Sequence, residues 1–215
     1  WEYGPFENWD ILGVKATVAK MEKSGEKPAD WVYEMLDAGF TSFYKVEGGQ
    51  KHYYDIPSKS YMPVPGVEEF LLLDTVKAAK KQLWTNEGAS IYDLGDEVIG
   101  LEFHTKMNSL GQEVVEGINT AISMAEKSYK GLVIGNEGAN FSAGANLAML
   151  YMFAGDQDFD EINLMIAQFQ NTMLRARFSS VPVVVAPHNM TLGGGCELSL
   201  HADAIQAHAE LSMGL

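Results

Sequence analysis

Two stretches of this 215-residue chain place small residues where a buried strand would give way to a helix. The first reads LVIGNEGANFSAGANL, with Ala143-Gly144-Ala145 at its turn. The second reads VVVAPHNMTLGGGCEL, with Gly193-Gly194-Gly195. A helix N-terminus carries unpaired N–H groups and a partial positive charge. Two such termini facing one another could put two N–H donors around one oxygen. That is an oxyanion hole, worth about 3–4 kcal/mol per donor. Small residues let a substrate approach the backbone itself. Glu197 follows Gly194 by about one helical turn and can reach the same cavity. Each part has a plainer reading. Three glycines can simply permit close strand–helix packing, and an acid in a first helical turn complements the dipole. A dinucleotide fingerprint fits poorly, because GxGxxG and its following acid are absent. The two junctions taken together favour chemistry.

The remaining composition narrows the partners. The net charge of −14 and pI of about 4.7 exclude a basic nucleic-acid face and disfavour anionic membranes. A phosphorylated small molecule needs only local cations or helix N-termini and stays open. Cys196 is the single cysteine, so no intramolecular disulfide forms, and a reducing, cytoplasmic compartment is expected. No apolar run approaches the ~20 residues of a membrane span. The five histidines lack metal-ligand spacing, so no metal is expected. The first residue is not Met and the last residues are ELSMGL, so both ends read as cut from a longer protein.

The elements that must position the junctions follow from pattern. Residues 1–57 read as two short amphipathic helices, with Trp9, Leu12, Val18 and Met21 on one face of the first. Pro28 suits the start of the second and Gly39 its cap. An aromatic hairpin follows, turning at Gly48-Gly49. Residues 57–67, with three prolines, are the boundary candidate. EEFLLLDTVKAAKKQLWTNEG reads as a helix with a basic end. From about residue 89 strands alternate with helices, which implies an α/β architecture. Two strands flank a Gly-Asp turn. A helix then carries Leu110, Val114, Ile118, Ile122 and Ala125 on one face, capped by Asn108 or Ser109. KGLVIGN and VPVVVAP read as buried strands. Residues 158–178 form a helix with Ile162, Met165, Ile166, Phe169 and Met173 inward, and 194–201 a second glycine-led helix.

NFSAGANL and PVVVAPHNMTLGGGCELSLHADAIQA resemble the two signature segments of the crotonase (enoyl-CoA hydratase/isomerase) superfamily. LEFHTKMNSLGQEVVEGINTAI resembles its first strand–helix unit, and the resemblance spans about 88–215. GPFENWDILGV and PADWVYEML resemble the tail of a 3-hydroxyacyl-CoA dehydrogenase. The resemblance implies three segments: 1–57, a mostly helical dehydrogenase C-terminal piece; 58–87, a linker and helix; and 88–215, the N-terminal part of a crotonase-like ββα spiral, incomplete at its C-terminus. The whole looks like part of a bifunctional fatty-acid β-oxidation protein.

That resemblance implies roles. Ala145 and Gly194 supply the oxyanion N–H groups. Glu197 is one of two glutamates that activate water, and a partly desolvated carboxylate suits that work. The second glutamate is expected two positions past Leu215. CoA contacts fall on Lys106, Met107, Ala143, Ala145 and Leu147; Lys106 either meets a CoA phosphate or is a solvated loop lysine. Asn146 stands where the family usually has aspartate, which implies a local capping change. Asn189 replaces a glycine at a turn that Asn can still make, and Pro187 leaves a strand end unpaired. Asp203 is expected to tie down backbone, Cys196 to be a buried thiol, and the Met-rich stretch 149–173 to form core or acyl-pocket wall. The activity implied is hydration of a 2-enoyl-CoA. An enoyl-CoA isomerase and a non-catalytic acyl-CoA-binding module remain as alternatives. NAD would serve only a dehydrogenase nucleotide domain outside this chain, and a homo-oligomeric parent is left open.

Overall fold

The computed structural model describes residues 3–47, 50–66, 71–79 and 81–215. The chain divides into two compact units, 1–79 and 80–215.

Among the described residues of 1–57 there are three helices where two were expected: α1 (Pro5–Leu12), α2 (Val14–Lys23) and α3 (Asp30–Asp37). Gly13, at φ 84°, breaks the first expected helix in two and turns Leu12 out, leaving it 69% exposed. Trp9, Val18 and Met21 stay on the inner side. Asp10 tethers the helices to the sheet, its carboxylate accepting from the backbone N–H groups of Phe43 (2.7 Å) and Tyr44 (2.9 Å). The hairpin strands β1 (Tyr44–Glu47) and β2 (Gln50–Asp55) are present. Its Gly48-Gly49 turn lies outside the described residues. The proline-rich segment proposed as a boundary adds a third antiparallel strand, β3 (Ser60–Pro63), to this sheet. Pro63 ends β3 at the sheet's edge, where a missing N–H costs nothing. The core of this unit is Val14, Val18, Val32, Met35, Phe43 and Tyr54.

The long helix expected after the proline-rich segment is short. Only α4 (Leu73–Ala78) is helical, and β4 (Gln82–Thr85) is an extended edge strand. Trp84 explains the change: its ring packs onto the core of the second unit, and pairing with β5 delivers it there. Tertiary burial outweighs the helix propensity of the preceding lysines and alanines.

The second unit is built on one six-stranded sheet, ordered β10-β8-β7-β6-β5-β4. Strands β4, β5 (Ala89–Gly95) and β6 (Val98–Phe103) are antiparallel. Strands β6, β7 (Gly131–Ile134), β8 (Val183–Val185) and β10 (Ala204–Ile205) are parallel. The helix α5 (Gln112–Ser128) crosses from β6 to β7, and α6 (Leu147–Gly155) with α7 (Phe159–Arg177) crosses from β7 to β8. The face predicted for α5 is buried throughout. Its cap is not Asn108 or Ser109. Gly111 occupies that position without a side-chain bond, because Asn108 is held elsewhere. On α7, Met173 is buried and Ile162, Met165 and Phe169 are half-buried, but Ile166 is 45% exposed, contrary to the expected inward face. Asp203 does tie down backbone, accepting from Val183 N–H at 2.8 Å. Strand β8 ends at Val185, short of Pro187.

Candidate functional site

The site stands where β6, β7 and β8 end, the place where open parallel sheets gather ligands. Three loops leave those ends, and the buried Asn108 with the half-buried Asn136 helps lock them together. Met107 (φ 59°) and Asn108 (φ 49°) both adopt the left-handed region. Asn108 repays that strain. Its Nδ2 donates to Asn136 Oδ1 at 2.8 Å and to the Asn140 carbonyl at 3.0 Å. Asn136 in turn donates to the Phe141 carbonyl at 2.9 Å. The fully buried Ser142 hydroxyl donates to the Asn108 carbonyl at 2.7 Å and accepts from Gly144 N–H at 3.1 Å. The Ala143 N–H donates to the Met107 carbonyl at 3.1 Å, and the Leu110 N–H to the Gly144 carbonyl at 2.8 Å.

The second junction is zipped to the first. Ser142 N–H donates to the Met190 carbonyl (3.2 Å), and Leu192 N–H to the Ser142 carbonyl (2.9 Å). Strands β9 (Met190–Leu192) and β11 (Ser212–Gly214) pair in parallel beside it. Asn189 makes its turn at φ 46°, as an asparagine can. Gly193 caps α8 (Gly194–His201). The two glycine runs touch: a methyl on Gly144, whose φ is 92°, would stand 2.8 Å from the Leu192 carbonyl oxygen and 3.4 Å from the Gly194 nitrogen. A methyl on Gly194 would press into the Phe169 ring at 2.9 Å. Among the described residues, the N–H groups of Ala145 and Gly194 donate to no acceptor.

A cavity of about 270 Å³ opens at this contact. Ala145, Asn146 and Glu197 line its junction side; Leu110, Val115, Leu150, Met165, Ile166 and Phe169 form an apolar wall. Glu197 is exposed, so the partial desolvation expected of a base is not found in these residues. The Asn146 side chain caps α6, accepting from Ala148 N–H at 3.2 Å. Cys196 is buried, one residue from Glu197.

Of the residues singled out from sequence, Ala145 and Glu197 face the cavity, and Gly194 lies against its Phe169 and Leu110 walls. Met107 and Ala143 are joined by their backbone bond, beside Lys106, on an exposed shelf that does not line the cavity. Leu147, 70% exposed, does not line it either. Sequence reasoning missed Gln112, Gln168 and Gln170 on the rim, since polar residues on a helix read as solvated. It placed Phe169 inward by period but could not show that the ring meets Gly194. Among the described residues no histidine, cysteine, aspartate and glutamate cluster could hold a metal ion, and no helix is long and apolar enough to cross a membrane.

A mixed sheet whose parallel part carries crossover helices, with two abutting glycine turns, is the crotonase-like α/β fold. Comparison with solved structures agrees. A crystal structure of an enoyl-CoA hydratase from Polaromonas sp. JS666 superposes with a TM-score of 0.52 at 25% identity, over 61% of this chain and 49% of that one. The family model described as Enoyl-CoA hydratase/isomerase matches residues 95–215, and the chain belongs to that family. Along its whole length it is 45% identical to a Bacillus subtilis protein named a probable 3-hydroxyacyl-CoA dehydrogenase. It is 31% identical to a Rickettsia felis protein assigned by name to a fatty acid oxidation complex as a trifunctional enzyme. The chain spans 27% of the length of each of those two relatives.

Proposed function

We propose that the second unit is part of a β-oxidation enzyme that adds water across the double bond of a 2-enoyl-CoA. The observation that carries this reading is the contact of the two glycine junctions, which leaves the Ala145 and Gly194 N–H groups unpaired beside a cavity holding one carboxylate, Glu197. In this reading the thioester oxygen sits between the two N–H groups. Glu197 takes a proton from water, the water oxygen bonds to C3, and the C2=C3 π pair moves toward the thioester oxygen. The charge that grows there is what the two donors stabilise. By resemblance, a second glutamate two positions past Leu215 works with Glu197 and returns a proton to C2. Lys106, Met107, Ala143, Ala145 and Leu147 would hold the CoA moiety, with Lys106 against a phosphate. Segment 1–57 would belong to a 3-hydroxyacyl-CoA dehydrogenase, with 58–87 joining it to the hydratase part at 88–215. Its NAD would be held by a region outside this chain, and the hydration product is the dehydrogenase's substrate. The single buried Cys196 supports a reducing, cytoplasmic compartment.

The test is loss of enoyl-thioester absorbance on adding crotonyl-CoA to the full natural chain. Turnover that disappears in Glu197→Gln supports hydration. An isomerase is the second reading, because Glu197 is the one acid lining the cavity among the described residues and a double-bond shift needs only one. Conversion of a 3-enoyl-CoA without hydration of the 2-enoyl ester would establish it instead.

A further inference from the structure

The apolar cavity does not end in an apolar wall. Its Gln112, Val115 and Gln168 also line a second groove of about 360 Å³, which continues between α5 and α7 past Asn171, Thr172 and Arg175. The two spaces thus share walls and lie side by side, and two of the three shared side chains are amides. We infer that the distal end of the acyl chain runs into this amide-lined groove, so that the site prefers thioesters whose tail carries a neutral hydrogen-bonding group, such as a hydroxyl, over plain alkyl tails of equal length. The inference rests on the acyl-CoA reading of the site given above.

The partner census of the groove selects the chemistry. Asn119 is fully engaged: its Nδ2 donates to the Val115 carbonyl (2.9 Å) and Thr172 Oγ1 (2.7 Å), and its Oδ1 accepts from Arg175 (3.5 Å). Arg175 Nη2 donates to Ser123 Oγ at 2.8 Å and to Glu126 at 3.4 Å. The cation is thus already neutralised. Gln112, Gln168 and Asn171 make no side-chain hydrogen bond among the described residues, so each offers both a donor and an acceptor. Glu116 stands in the same groove, its carboxylate held by Asn86 at 3.2 Å, and repels a second carboxylate. Amides flanked by an unbalanced negative charge suit a hydroxyl better than a carboxylate. An alkyl end would displace water from Gln112 and Gln168 without replacing its hydrogen bonds. A hydroxyl replaces them. Each such bond is worth up to about tenfold, and less where water competes.

The experiment compares kcat/KM of the full natural chain for paired 2-enoyl-CoA esters, with and without a terminal hydroxyl, over a series of lengths. Once the tail is long enough to reach the groove, the hydroxylated partner should be favoured roughly three- to tenfold. That ratio should collapse toward one in Gln168→Leu, and in Gln112→Leu should the first variant fold poorly. No preference at any length, or a preference that both variants retain, would overturn the inference. Crotonyl-CoA, with only a methyl group beyond its double bond, serves as the separate check on hydration. If wild-type protein fails to hydrate it, the hydratase reading falls. The groove is then still tested by calorimetric affinities for the matched saturated esters, where equal affinities overturn it.

Discussion

Replacing Gly144 by alanine attacks the contact that makes the site. Gly144 sits at φ 92°, where a side chain costs about 1–2 kcal/mol. The added methyl would also stand 2.8 Å from the Leu192 carbonyl, which belongs to backbone and cannot swing away. Prising backbone apart in a packed site adds roughly 1–3 kcal/mol. The total, about 2–5 kcal/mol, is a large share of a domain's net stability of about 5–15 kcal/mol. At a few degrees per kcal/mol, the transition of this unit should fall by roughly 5–15 °C. Relief of the clash moves Gly193 and Gly194 away from Ala145. With one donor out of place, kcat should fall about 10²–10³-fold at a temperature where the variant is folded. Gly155→Ala is the matched control: its methyl meets nothing within 4 Å and its φ is not positive, so stability should hold or rise by a few tenths of a kcal/mol. Calorimetry and crotonyl-CoA hydration on both variants read the two effects separately. A Gly144→Ala protein that melts and turns over like wild type would refute the claim that the junctions must touch.

Glu197→Gln should lower hydration at least 10²-fold while leaving CoA-ester binding near wild type; a parallel loss of affinity would mean the carboxylate holds substrate rather than activates water. Thr191 has a buried Oγ1 with no hydrogen-bond partner among the described residues, so Thr191→Val should raise stability by up to about 1 kcal/mol in denaturant unfolding. A clear loss there would show that the hydroxyl is paired. The carboxyl of Glu126 lies below its ordinary value of 4.5, chiefly because Ser180 N–H donates to it, with Arg175 adding to the effect. A group lowered on folding stabilises above its unfolded pKa and loses that contribution as pH falls through the folded value. Glu126→Gln should therefore cost under about 1 kcal/mol at neutral pH. It should also flatten the part of the acid limb that begins near pH 4.5; an unchanged limb would show that the Ser180 contact is not felt.

What the sequence revealed and what it hid divide along the range of the forces. Strands β7 and β8 announce themselves as short β-branched runs, and α8 begins at Gly194 and ends at His201 as the glycine lead and the following pattern require. Those signals are local. The missed elements were decided elsewhere: β4 by the burial of Trp84, β3 by pairing with β2, and the cap of α5 by the distant Asn136 and Asn140, which claim the Asn108 side chain. The site shows the same division. Its small residues and Glu197 are legible because the chemistry proposed for the site would demand them. Their convergence is not, since it depends on Ser142 pairing with Thr191 across 49 positions and on Phe169 reaching Gly194 from another helix. Ser142 thereby becomes the residue that joins both halves of the site. Its hydroxyl ties the Asn108 turn to Gly144, and its backbone bonds to Met190 and Leu192 bring in the second glycine run. A residue with no reactive part in the proposed hydration thus sets the spacing of the Ala145 and Gly194 N–H groups, because the long stretch of chain between them cannot.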